Sequence, residues 1–121
     1  MIPVYQGAHT LAALVKEFAR LAVPTVTTDG HEFQVVELLL VSDHGPDRSD
    51  EVIRELAAAH DFIRPVWLSR NFGQHPATLA GMASSSGDWI VTMDEDGQHD
   101  PADIGDFLDV ALREGSQLVY A

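Results

Sequence analysis

The sequence predicts one α/β domain of Rossmann-like type, with a mainly parallel sheet flanked by helices. Three observations carry this. Short apolar runs alternate with helical patterns in the order β-α-β-α-β-α-β-α-β. The strand runs are apolar enough to be covered on both faces, as parallel strands are. The chain has 121 residues, 45% of them apolar, which is about one domain's worth of core and not two. Such alternation implies parallel strands joined by right-handed crossovers.

The first strand is read over residues 2–5, followed by an amphipathic helix over 10–22 with Leu11, Leu14, Val15, Phe18 and Leu21 on one face. A second strand is read over 33–41, then a helix over 49–60 with Val52, Ile53, Leu56 and Ala57 inward. Residues 63–68 read as a third strand and 76–84 as a helix of small residues. A fourth strand at 89–93 precedes a helix that opens with Asp100 as N-cap and Pro101 at its first position, and runs to Arg113. A last strand is read at 118–120. The first strand is short and the last has nothing after it to cover it, so residues 1–121 are expected to be a single domain truncated from a longer protein.

Nineteen Asp and Glu against seven Lys and Arg leave a formal charge of −12, which argues against nucleic acid as a partner, because phosphate backbones are held by clustered cations. The longest apolar runs fall far short of the roughly eighteen residues that a bilayer span needs. With no cysteine, thiolate chemistry and Cys-ligated zinc are excluded, and a cytoplasmic location is compatible.

In an open parallel sheet, ligands bind outside the carboxyl ends of the strands. Four loops fall there: Tyr5-Gln6-Gly7, residues 42–47 from Ser42 to Asp47, residues 69–74 from Ser69 to Gln74, and Asp94-Glu95-Asp96-Gly97-Gln98-His99. Three consecutive acids beside a buried strand repel one another, and a divalent cation is their natural neutraliser. Oxygen ligands from Asp94, Asp96 and Gln98 suit Mg²⁺ or Mn²⁺ better than zinc. Alternation along an extended chain turns Asp94 and Asp96 to one side and Glu95 away. On spacing alone, the same string is equally a solvated turn before a helix cap. Taken singly, Tyr5 is equally a strand end and Arg70 a surface charge, and Asp47 is an Asx turn before the helix at Ser49.

Together, Ile2-Pro3-Val4-Tyr5, Val41-Ser42-Asp43 with Pro46-Asp47-Arg48-Ser49, Leu68-Ser69-Arg70-Asn71-Phe72-Gly73 and Met93-Asp94-Glu95-Asp96-Gly97-Gln98-His99 resemble the GT-A family 2 glycosyltransferases, especially the dolichol- or polyprenol-phosphate sugar synthases. Those enzymes carry a Pro-Val-Tyr-Asn-Glu start, an Asp-Asp-Gly-Ser-like loop, an Arg-Asn-Phe-Gly loop and an Asp-Ala-Asp-Leu-Gln-His-Pro metal loop in this order. The resemblance spans the whole chain and corresponds to the amino-terminal, nucleotide-sugar-binding half of such an enzyme. It implies that Pro3 and Tyr5, with Gln6 beside them, line the base pocket, that Asp43 accepts a hydrogen bond from the base, and that Arg70 lies near the base or diphosphate. Asp94 would contact the sugar or ribose side, and Asp96 and Gln98 would hold the ion that bridges the diphosphate. Asp94 and Asp96 are thus the expected catalytic pair. Departures are Gln6-Gly7 for Asn-Glu, Ser42 for Asp, and Glu95, Gly97 and Asp100 for Ala, Leu and Pro.

The implied reaction is inverting transfer of a sugar from a nucleotide-diphosphate sugar to a lipid phosphate, with Mg²⁺ or Mn²⁺ as cofactor, in cell-envelope glycan synthesis. The longer protein would then sit peripherally at the cytoplasmic membrane face, its acceptor-binding region lying beyond residue 121. Two alternatives stand beside this. Residues 91–97 also resemble the Asp-x-Asp-Gly loop of haloacid-dehalogenase-like phosphatases, yet that family sets the loop on its first strand and needs a downstream lysine, and the only lysine here is Lys16. A non-catalytic nucleotide-sugar-binding or scaffold fragment is the other, for which an exposed sheet edge would allow a homo-oligomer.

Overall fold

The structure, a computed structural model, describes residues 1–119. Its elements are β1 (Ile2–Val4), α1 (Leu11–Ala19), β2 (Thr25–Val26), β3 (Glu32–Phe33), β4 (Leu38–Ser42), α2 (Ser49–Ala59), β5 (Ile63–Trp67), α3 (Gln74–Ser84), a 3-10 turn (Pro101–Asp103) and α4 (Ile104–Glu114). The main sheet is parallel in the order β1-β4-β5, with Ile2 opposite Leu40 and Leu40 opposite Pro65. The expected parallel α/β architecture is therefore present.

Period-two alternation splits the sheet's side chains between two cores. Ile2, Val4, Leu38, Leu40 and Ile63 face Leu11, Leu14, Val15 and Phe18 of α1 and Ile53 of α2. On the opposite face Met1, Leu39 and Val41 meet Ala77 of α3. That helix packs closely because it carries small residues: a Cβ on Gly81 would lie 2.0 Å from Met1 Cε and 3.0 Å from Val41 Cγ2. Pro65 fits β5 because Leu68 N donates to Ser42 O, so the amides at 64, 66 and 68 face β4 and position 65 faces away, where a proline costs no ladder bond.

Two strand expectations change, and one strand pair is new. The run read as one strand over 33–41 is divided between β3 and β4. Val35 N donates to Leu21 O and Gln34 Nε2 to Ala22 O, which draws the intervening chain onto the turn that follows α1. The small antiparallel β2–β3 pair, not foreseen in the sequence, is fixed to α4 by buried Asp109, which accepts from Thr27 Oγ1 and from Asp29 N. The fourth strand at 89–93 is an extended segment without regular pairing. Met1 N donates to Val91 O and Met93 N to Met1 O, the start of a parallel ladder on the free edge of β1. The next amide facing this segment belongs to position 3, and Pro3 has none to give, so the ladder stops. The strand read at 118–120 reaches outside the described residues.

Asp100 caps the turn into α4 as read, accepting from Ala102 N at 2.9 Å. Gly115 ends the helix in the left-handed conformation, φ 62°.

Candidate functional site

From β1 the chain moves outward to β4 and β5, then returns to the other side of β1 at residues 91–93. The carboxyl end of β1 is thus the point where the strand order reverses, which is where open α/β sheets form their ligand crevice. A cleft of about 470 Å³ lies there, lined by Pro3, Tyr5, Asp43, Asp94 and Asp96. Five residues singled out from the sequence are brought together from three separate loops, the first, second and fourth. Asn71, Gly73, Gln74 and Glu95 complete the wall, so the lining contains four carboxylates and no lysine or arginine.

The first loop is tied down at every amide. Tyr5 N and Gln6 N donate to Glu95 Oε2 and Oε1, each at 2.8 Å. Gly7 N donates to Ser49 Oγ at 2.9 Å and Ala8 N to Asp47 Oδ2 at 3.1 Å. Four successive N–H groups are therefore taken by side chains, which removes this loop as a backbone cradle for phosphate. Gly45 packs against the same loop so closely that a Cβ there would lie 1.4 Å from Tyr5 O.

Asp47 is the Asx-turn residue read from the sequence: its Oδ1 accepts from Ser49 N at 3.1 Å and from Ser49 Oγ. Desolvation raises its pKa, and the hydrogen bonds from Ser49 and Ala8 outweigh this, holding the carboxyl below its ordinary value. Asp43 ends β4 almost fully buried, 4% exposed, and its two oxygens accept from Phe72 N at 2.8 Å and Gly73 N at 3.1 Å. It thereby fixes the entry to α3, where Gly73 takes φ 98°. Gln74, at the start of that helix, donates through Nε2 to Asp94 Oδ1 at 2.9 Å. Asp96 Oδ1 accepts from Gln98 N at 3.0 Å in a turn that passes through Gly97 at φ 76°.

Three candidates lie off the cleft wall. Gln6 is exposed and meets the site through its amide only. Arg70 stacks its guanidinium on the Phe72 ring, 4.7 Å from the centroid, instead of lining the cleft. Gln98 supports Asp96 through its backbone. Glu95, expected to face away, is in the wall and is the hinge pin between the first and fourth loops. Gln74, placed in the third loop by the sequence reading, is the first residue of α3, and its side chain holds Asp94. A smaller recess of about 150 Å³ adjoins the cleft, and His99 lines it with Asp94.

Asp94 and Asp96 present hard oxygen donors, and among the described residues no hydrogen bond uses Asp94 Oδ2 or Asp96 Oδ2. No cluster of three or more metal-ligating side chains occurs among the described residues. Magnesium-type sites need none, since they use one or two carboxylates with phosphate and water. The donor set fits such an ion.

The model of the family described as Glycosyl transferase family 2 matches residues 1–121. The chain belongs to glycosyl transferase family 2. Among curated relatives, the undecaprenyl-phosphate 4-deoxy-4-formamido-L-arabinose transferase of Yersinia pestis (strain Pestoides F) is 38% identical over 98% of this chain and 34% of its own length. The protein of the same name from Edwardsiella ictaluri (strain 93-146) is 34% identical over 92% of this chain and 32% of its own. That of Aeromonas hydrophila subsp. hydrophila is 34% identical over 93% and 33% respectively. The chain thus spans about a third of the length of these relatives. Membership in this transferase family sets aside the phosphatase alternative. Among the described residues no helix is long and apolar enough to cross a membrane.

Proposed function

We propose that residues 1–121 form the donor-binding unit of an inverting glycosyltransferase, which holds a nucleotide-diphosphate sugar with a divalent cation and directs the sugar to a polyprenyl phosphate. One observation carries this reading: Pro3, Tyr5, Asp43, Asp94 and Asp96, from distant parts of the sequence, line one cleft at the switch point of a parallel sheet. Relatives named as undecaprenyl-phosphate transferases of a formamido-arabinose support a lipid phosphate as acceptor and a modified sugar as cargo.

Pro3 and Tyr5 form the flat wall for the base. Asp43 keeps acceptor capacity for a base N–H, because a carboxylate offers about four lone-pair sites and two are used. Asp96 is assigned to the ion, Mg²⁺ or Mn²⁺, with Gln98 in the same turn, and Asp94 to the sugar side. When bound, such an ion supplies Lewis-acid stabilisation of the charge that develops on the departing diphosphate. An acceptor phosphate oxygen would form the new bond to the anomeric carbon as the bond to the nucleoside diphosphate breaks. Being already anionic, that oxygen needs no strong general base, and direct displacement inverts the configuration.

A thermal-shift panel of UDP, GDP, their sugars and each with or without Mn²⁺ tests the reading. Ligand at about a hundredfold over its Kd stabilises by roughly 2.7 kcal/mol, a shift of several degrees for a domain of this size. A metal-dependent shift with one nucleotide supports the donor site and names the base; no shift with any of them overturns donor binding by these residues alone.

A further inference from the structure

We infer that Glu95 is a positioning residue for the cleft: its carboxylate replaces the interrupted β1 ladder and holds the Tyr5 wall in register with Asp94 and Asp96. The inference deepens the donor-site reading and rests on it for the ligand, though not for the geometry.

Along β1 and its flanks, the backbone nitrogens at positions 1, 3 and 5, the first of them the N-terminal ammonium, face the segment that leads into the acidic loop. The first donates to Val91 O, the second has no hydrogen to donate because residue 3 is proline, and the third donates to the Glu95 side chain at 2.8 Å. Glu95 then turns its other oxygen to Gln6 N, also at 2.8 Å, and its own carbonyl accepts from Thr10 Oγ1 at 2.5 Å. One residue therefore joins the end of β1, the start of α1 and the fourth loop.

Such a bidentate clamp needs room, and Gly7 gives it: a Cβ there would lie 3.0 Å from Glu95 Oε2 and 3.0 Å from Leu11 Cγ. The clamp also needs a charged acceptor, since hydrogen bonds to an ionised group are about twice as strong as neutral ones. With both oxygens turned to backbone amides, Glu95 is separated in role from the acids on either side of it. Asp94 and Asp96 face the ligand; Glu95 faces the frame that carries Tyr5.

The test uses the full 121-residue chain as parent, Glu95→Ala, Glu95→Gln and Asp96→Asn, with three readouts: amide hydrogen exchange, Mn²⁺ binding by paramagnetic relaxation, and titration with the nucleotide that the panel selects. Glu95→Ala is expected to speed exchange at Tyr5 and Gln6 by roughly tenfold or more, the equivalent of one lost charge-assisted bond, with Leu40 in β4 unchanged. Glu95→Gln, which keeps one acceptor oxygen, is expected to fall between Ala and the parent. Mn²⁺ binding alone stays at the parental level in both Glu95 variants and is lost in Asp96→Asn, while nucleotide affinity in Mn²⁺ weakens about tenfold in Glu95→Ala. Parental exchange at Tyr5 and Gln6 in Glu95→Ala would overturn the clamp, and loss of Mn²⁺ binding in Glu95→Gln would make Glu95 a ligand instead. If the parent binds no nucleotide, the donor reading fails, and the exchange data still decide the clamp. A Glu95→Ala chain that does not fold leaves the same comparison to Glu95→Gln.

Discussion

The Asp43 carboxylate accepts the Gly73 amide at 3.1 Å and so joins the end of β4 to the entry of α3. With Phe72 N on its other oxygen, Asp43 sets the position of Gln74, which in turn holds Asp94. A residue read as a base acceptor is therefore also the anchor of the opposite wall. Asp43→Ala leaves Phe72 N without its acceptor and Gly73 N with Asn71 Oδ1 alone, and we expect a loss of about 1–3 kcal/mol in urea unfolding. Asp43→Asn, with one acceptor retained, is expected to lose less. A parental urea midpoint in Asp43→Ala would show that water and Asn71 satisfy the two amides without it.

Two glycines separate a backbone obstacle from a movable one. A Cβ on Gly45 meets the Tyr5 carbonyl, in a loop whose amides Glu95 and Ser49 hold, whereas one on Gly81 meets chiefly the tip of Met1. Gly45→Ala is expected to cost more than the 1–3 kcal/mol typical of overpacking, and Gly81→Ala to stay within about that range. Equal urea midpoints for the two variants would contradict the fixed position of the first loop.

Asp47, Asp109 and Glu37 share a sign in their titration. For each, desolvation raises the pKa, and hydrogen bonds, from Ser49 to Asp47, from Thr27 to Asp109 and from Arg64 to Glu37, bring it below the ordinary value. A carboxyl with a depressed folded-state pKa adds stability above its unfolded value, and this is lost as pH falls through the folded value. Unfolding midpoints measured from about pH 5 down to about pH 3 should therefore fall less steeply in Asp47→Asn and Asp109→Asn than in the parent. An unchanged slope in both variants would assign acid sensitivity elsewhere.

Removal of the ion is the simplest chemical test of the donor assignment. EDTA, or Asp96→Asn, is expected to abolish the nucleotide-induced thermal shift of several degrees while leaving the unliganded midpoint within about 1 °C, because Asp96 makes only a local turn bond. A shift that survives both treatments would mean that the cleft holds the nucleotide without metal.

Periodicity made most of the frame legible: Leu11, Leu14, Val15 and Phe18 form the buried face of α1 as their spacing requires, and Asp100 caps the turn it was read to cap. The loops at the strand ends were legible by the same logic, since each follows an apolar run. The break between β3 and β4 was not, because it depends on bonds from Gln34 and Val35 to the turn that follows α1, remote in sequence. The fourth strand was misjudged on its own apolar residues, when the deciding residue was Pro3, on its neighbour. Glu95 was assigned by alternation to the side away from the ligand; its partners are the amides of Tyr5 and Gln6, about ninety positions earlier. The stacking of Arg70 on the Phe72 ring was not legible either, since the family pattern encodes no contact between the two.

The commitment of every amide from Tyr5 to Ala8 has an electrostatic consequence. A nucleotide entering the cleft as proposed would meet Asp43, Asp94, Glu95 and Asp96 with no free N–H groups left from Tyr5 to Ala8 to offset them. Most anion sites weaken as salt is added. Here the metal-free encounter is repulsive, and shortening the Debye length from about 10 Å at 0.1 M salt to about 3 Å at 1 M relieves it. On the proposed donor reading, added salt would therefore ease nucleotide entry in the absence of the cation, and a nucleotide already complexed with its ion would meet the weaker repulsion.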